Sequence, residues 1–194
     1  MVLPKAHWAY DASVATLYPF NPDRARALLA EAGFKDGLEL HIGSYSDQDS
    51  VLRSEVIQSQ LQDVRIRVRY TRDTLPEITA QFFGDEKRFD ALLSLWTGRP
   101  DPSMTYALLV GEGSYYNASR EADPQLTALL RESRETADHA TRKVVFGKIQ
   151  RFVMENALVV PITFQYELDA IAQRTKGYKP NLLGKPKFEN MHIA

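Results

Sequence analysis

The sequence predicts an α/β fold: a mixed, mostly parallel sheet flanked by helices. Three observations carry this. Helix-period and strand-period segments alternate from Asn21 to Trp96, "RIRVRY" at 65–70 alternates strictly, and "FDALLSLW" at 89–96 is almost wholly apolar. Helix and strand in alternation is the order that builds parallel strands with crossover helices. The chain has 194 residues, 44% hydrophobic and 25% charged, which suffices for one sizeable core or two small ones.

The first 20 residues are aromatic and irregular. A helix follows, with Asn21 as cap, Pro22 in its first turn and Gly33 as its left-handed stop. Ala25, Leu28, Leu29 and Ala32 fall on one face of it. "LELHIG" at 38–43 reads as a strand. A second helix runs to about Val64, with Val56, Ile57, Leu61 and Val64 inward. In "RIRVRY", Ile66, Val68 and Tyr70 point one way and the arginines the other, as expected for a strand near a wet sheet edge. A third helix, capped by Asp73 or Thr74, carries Leu75, Ile78 and Phe82. The apolar run 89–96 is expected to be a central strand covered on both faces.

Beyond it, Asp101-Pro102 reads as cap and first turn of a helix to about Val110, and Asp123-Pro124 as the start of another with Leu126, Leu129 and Leu130 inward. A long helix spans about Asp138 to Asn156. "LVVPITFQYELDAIA" is expected to supply one or two further strands. The tail from 176 has no clear period.

Charge and motif exclude several functions. Lys+Arg 24 against Asp+Glu 25 gives a net charge of -1, so no global field favours nucleic acid or an anionic membrane. The arginines of 65–72 are the wet face of an edge strand, not a nucleic-acid stripe. No cysteine is present, which excludes disulfides and thiolate metal sites. His7, His41, His139 and His192 stand in no metal-ligand spacing. No Gly-rich phosphate loop and no nucleophile elbow occurs, so no cofactor is expected. No apolar run reaches the length of a membrane span. The opening "MVLPKAHWAY" lacks the basic start and apolar middle of a signal peptide. Asn117-Ala118-Ser119 matches a glycosylation sequon, a pattern frequent by chance.

The candidate site is a loop, "LWTGRPDPSM" at 95–104. In open parallel sheets, ligands bind beyond the carboxyl ends of strands, and Trp96, Thr97, Gly98, Arg99 and Asp101 sit at such an end. Trp96 fits a ring laid on a ligand or a core ring equally. Arg99 suits a carboxylate partner. Asp101 reads first as a helix cap. Tyr115, Tyr116 and Asn117 stand in a polar loop with no period to bury them, so they flank a cleft or pin the loop to the surface.

These residues also match a family. "HWAYDASVATLYPFNPDRARALLAEAGFKDGLEL", with its aromatic-Pro-x-Asn-Pro unit at 18–22, "LLAEAG" at 28–33 and Asp36-Gly37, resembles the opening of the C-terminal lobe of family 5 extracellular solute-binding proteins. These are the dipeptide, oligopeptide and nickel-binding receptors of ABC importers. "EVIQSQLQDVRIRVRY", "FDALLSLWTGRPDP", "DPQLTALLRES" and "VVPITF" resemble later segments in the same order, so the resemblance spans essentially the whole chain. Two departures stand out. Arg65 occupies a helix-to-strand junction that usually carries glycine. Arg99 stands where peptide-binding members often place an acidic residue that meets the peptide's amino group, in a loop one residue shorter. The ligand is then expected to present an anion.

The resemblance implies a lobe of the type II periplasmic-binding-protein fold, with a hinge-proximal segment over 1–20, the C-terminal solute-binding lobe over 21–175 and an irregular tail over 176–194. It implies a small-molecule or peptide solute, ABC permease membrane subunits as partners, an N-terminal lobe outside this chain, and a periplasmic or extracellular, membrane-associated location. A separated C-terminal lobe is expected. An enzyme using the same strand-end loops and a standalone interaction domain are the rival classes.

Overall fold

A computed structural model describes residues 3–119, 122–166, 168–180 and 187–194. The chain divides into two compact units. The sheet unit comprises Tyr18–Trp96 and Tyr115–Arg120; the helical unit comprises Met1–Leu17, Thr97–Ser114 and Glu121–Ala194.

In chain order the elements are α1 (Ala12–Ala15), α2 (Pro22–Glu31), β1 (Leu38–Tyr45), α3 (Gln48–Gln62), β2 (Ile66–Asp73), α4 (Leu75–Phe83), β3 (Ala91–Leu93), α5 (Pro102–Val110), α6 (Pro124–Glu132), α7 (His139–Glu155), β4 (Thr175–Lys176) and β5 (His192–Ile193). The mixed α/β class is as the sequence predicts.

The sheet unit is built on a three-stranded sheet of order β2-β1-β3, with β1 parallel to both neighbours. β1 pairs with β2 from Leu38↔Ile66 to Tyr45↔Asp73. Its core is Tyr45, Ile78 and Phe89, with Phe82 and Leu92 packed against them. Gly43 makes this packing possible, because a Cβ there would stand 2.8 Å from the Phe89 ring. Arg65, at the turn into β2, takes φ 67°, the left-handed region where glycine is at ease.

Three expectations for this unit are corrected. The run 89–96 is not a central strand: β3 is three residues long, half-buried, and at the sheet edge. β1 takes the centre because it alone has a ladder on both sides, while Leu95 and Trp96 leave the sheet and are exposed. Val56 points outward, whereas Ser50 and Ser54 are buried. The face of α3 toward the sheet is small and polar because Arg72 donates to Ser54 Oγ at 2.8 Å and Gln58 Nε2 donates to the Val68 carbonyl at 2.9 Å. Leu28 and Leu75 are exposed, and α2 buries no residue.

The helical unit packs α5, α6, α7 and the N-terminal segment around Tyr106, Leu126, Leu129, Leu130, Phe146, Ile149 and Val153. Each of these three helices begins at an aspartate whose carboxylate accepts a backbone N–H: Asp101 from Ser103, Asp123 from Leu126, and Asp138 from Thr141. Gln150 Nε2 donates to the Ala9 carbonyl at 2.8 Å, tying the N-terminal segment to α7. Among the described residues 157–174 forms no strand, contrary to expectation. The tail is less irregular than expected, since β5 pairs antiparallel with β4 through Thr175↔Ile193 and Lys176↔His192.

Candidate functional site

In a parallel sheet all carboxyl ends lie on one side, and the turn out of β3 is where the candidate loop begins. Tyr45, the last residue of β1, is hydrogen-bonded through its hydroxyl to Ser94 Oγ at 2.7 Å, which fixes the point where the chain leaves β3. Beyond it an aromatic cluster forms. The Trp96 and Tyr116 rings meet edge to face with centroids 5.2 Å apart, and Tyr116 meets Phe83 the same way at 5.3 Å. Tyr115 lies 5.3 Å from Tyr116 and 5.8 Å from Phe83. Trp96 is 37% exposed and Tyr115 50%, so the cluster keeps ring surface open to solvent. Asn117, next in sequence, is buried, and its side-chain oxygen accepts from Ser119 Oγ at 2.9 Å. The Lys87 ammonium donates to the Ala118 carbonyl, holding this loop to the end of α4.

The structure thus brings Trp96, Tyr115, Tyr116 and Asn117 together within the sheet unit. Phe83, which the sequence does not single out, is the ring that joins them. Its signal is its place: the last residue of α4, beside an inward Phe82.

Thr97, Gly98, Arg99 and Asp101 belong to the helical unit. Thr97, Gly98 and Arg99 are exposed. The Arg99 amide donates to Thr105 Oγ1 at 2.8 Å, which pins its backbone. Among the described residues the Arg99 guanidinium has no hydrogen-bond or ion-pair partner. Asp101 is fully engaged. It caps α5, and Arg142 Nη2 donates to its two carboxylate oxygens at 2.7 and 2.8 Å. Partial burial works to raise the Asp101 pKa, but the Arg142 hydrogen bond and the Ser103 contacts outweigh it and hold the carboxyl at about 2. Arg142 is itself held over the Trp8 and Phe146 rings, 5.5 and 5.3 Å from their centroids. No sequence pattern links Arg142 to a residue 41 positions earlier.

Exposed rings can stack on apolar or planar groups, and an exposed guanidinium can meet an anion. Among the described residues no group of three or more His, Cys, Asp or Glu is placed to hold a metal ion, and no helix is long and apolar enough to cross a membrane.

The model of the bacterial extracellular solute-binding proteins, family 5, in its middle region, matches residues 1–117. The chain belongs to this family. Among family 5 relatives, a dipeptide-binding protein of Pseudomonas aeruginosa is 26% identical over 194 residues, which cover 96% of this chain and 36% of that protein. The dipeptide-binding protein of Escherichia coli is 25% identical, with 99% of this chain and 37% of that protein covered. A crystal structure of a dipeptide-binding protein from Pseudoalteromonas sp. SM9913, in complex with Met-Leu, superposes with a TM-score of 0.82 at 22% identity, covering 98% of this chain and 39% of that one. The fold is accordingly that of the periplasmic binding proteins. This family 5 chain spans little more than a third of the length of the curated relatives it matches.

Proposed function

We propose that this chain forms one wall of a solute cleft in the substrate-binding component of an ABC importer, working outside the cytoplasm in the periplasm or at the cell surface. The solute is a peptide or similar small molecule. The observation that carries the reading is the half-open cluster of Trp96, Phe83, Tyr115 and Tyr116 beyond the carboxyl end of β3, where open parallel sheets take their ligands. The role is binding without chemistry: stacking and polar anchors, then delivery to permease subunits.

Arg99 shapes the choice of solute. The carboxylate two residues on is committed to Arg142 and to the start of α5, so it is not available to an ammonium group. The free charge on the loop is the guanidinium, and it favours a solute that presents a carboxylate or another anion.

Residue-resolved NMR titration of the chain with Met-Leu and with N-acetyl-Met-Leu tests this. The expected result is weak, millimolar-range binding, because one wall leaves a small solute half in water, with shifts at the Trp96 indole, Tyr115, Tyr116 and Arg99. The acetylated peptide, which has lost its ammonium, binds no more weakly than the free one. Shifts confined to other residues, or a submicromolar affinity for this chain, would overturn the reading. A clear preference for the free amino group would overturn the role of Arg99.

A further inference from the structure

The segment before α1 docks on the core of the helical unit. Leu3 and Ala9 are buried in that core, and Trp8 packs against it. One face of Trp8 lies on the His139 ring, with centroids 4.4 Å apart and the planes 25° from parallel. The Arg142 guanidinium stands 5.5 Å from the Trp8 ring centre, and Phe146 meets the ring edge to face at 5.7 Å. The buried Gln150 side chain donates to the Ala9 carbonyl at 2.8 Å.

His7 sits within this dock. Its ring lies 5.7 Å from Trp8, and its Nδ1 accepts the Ala9 N–H at 3.1 Å. That bond exists only while Nδ1 carries no proton, because an imidazolium donates from both nitrogens. A proton on Nδ1 would set two donors face to face and leave the N–H of the fully buried Ala9 without its acceptor. Both groups regain partners in water only if the segment lifts from the core.

The charged and titratable groups around the segment are Asp101 at the start of α5, and Asp138, His139 and Arg142 at the start of α7; Lys5 and Asp11 stand on the segment itself. Burial disfavours the charged His7 imidazole and holds its pKa below the ordinary 6.5, against the pull of Asp101. The docked form therefore binds fewer protons than the released one. Docking is at full strength above about pH 6.5 and is lost as pH falls through the docked value. His139 is exposed, and a charge on it would not undo its stack, since an indole face attracts a cation.

We propose that His7 makes the docking of residues 3–10 a proton-sensitive latch. With a neutral imidazole the segment is fastened to the helical core; with His7 protonated at Nδ1 it comes away, and Trp8 leaves His139 and Arg142.

The test is an NMR titration of the 194-residue chain from pH 7.5 to 5. The protection of the Ala9 amide, taken against its intrinsic exchange rate at each pH, should fall about fivefold or more, the least that a buried N–H stripped of its acceptor implies. The Trp8 indole N–H should move toward its solvent-exposed position, while the Ile149 and Val153 amides keep their protection. His7→Asn sets an amide oxygen where Nδ1 stands and takes up no proton, so the segment should stay docked and the fall should disappear. His139→Gln should leave the fall in place. An Ala9 amide still protected at pH 5, a fall that persists in His7→Asn, or one that vanishes in His139→Gln would each overturn the proposal. Equal losses at Ile149 and Val153 would overturn it as well, because the whole helical unit would then be yielding to acid. The His7 ring signals decide the matter even if His7→Asn does not dock. Nδ1 should be unprotonated at pH 7.5, and its protonation should share one midpoint with the release of Ala9. A proton on Nδ1 at pH 7.5, or two separate midpoints, would sink the latch.

Discussion

Among the described residues, the core cluster of the helical unit gathers eleven buried residues, from Leu3 to Val153, while that of the sheet unit gathers three, Tyr45, Ile78 and Phe89. The helical unit is held by apolar side chains interlocking between α5, α6 and α7. The sheet unit leans on its backbone ladder and on polar ties such as Gln58 to Val68 and Arg72 to Ser54. Burying a large apolar side chain stabilises by about 1.5–3 kcal/mol, whereas a hydrogen bond contributes a net of about 1 kcal/mol. The sheet unit is therefore expected to open first, and the aromatic cluster of Trp96, Phe83, Tyr115 and Tyr116 sits on it.

The widest separation between the units should appear on truncating their central side chains. Phe146 and Ile78 are both fully buried. Phe146→Ala should cost about 3–5 kcal/mol and Ile78→Ala about 2–4 kcal/mol by urea denaturation, because the larger ring leaves the larger cavity. A costlier Ile78→Ala would reverse the ranking and place the tighter packing in the sheet unit.

A smaller effect sharpens the comparison through pH. Asp101 has a folded pKa near 2 against an ordinary 3.8. Its contribution is therefore fully present above the unfolded value and is lost as pH falls through about 2. The Asp101 side chain is 39% exposed although Arg142 is only 11% exposed, so solvent screens the pair and the ion-pair contribution stays at about 1 kcal/mol or less. Asp101→Asn should flatten the acid limb of the helical unit's stability between pH 4 and 2. An unchanged limb would mean that the ion pair adds nothing to that unit's stability.

The smallest effect is a gain. Arg65→Gly should relieve the left-handed backbone at the turn into β2 and raise the sheet unit's stability by about 0.5–1 kcal/mol. Part of that is offset by the lost hydrogen bond from the Arg65 guanidinium to the Lys35 carbonyl. A loss of stability on this substitution would mean that the side-chain bond outweighs the strain.

Local rules made the helices legible. Asn21 and Asp101 cap where they are expected to, and helices start at Asp123 and Asp138 where expected, because a helix start depends on three or four consecutive residues. The wet face of β2 was legible for the same reason. Strand order was not. "FDALLSLW" reads as central because it is apolar, yet centrality is a matter of which strands lie on either side, and no local pattern encodes that. The outward Val56 was missed because the inward face of α3 carries serines, of which Ser54 finds polar partners on β2 and in the helix itself. At the site, the loop and the tyrosines were legible as punctuation. The commitment of Asp101 to Arg142 was not, since it joins residues 41 apart.

That commitment bears on how the loop meets its surroundings. With the Arg99 amide tied to Thr105 and Asp101 locked at both oxygens, the backbone on either side of Pro100 is immobilised by folding itself. Ordering a free residue costs about 1–2 kcal/mol of backbone entropy, and here that loss is taken before any partner arrives. An anion that meets the Arg99 guanidinium has only the rotamers of one side chain to still, so the loop works as a fixed mount with a single moving part.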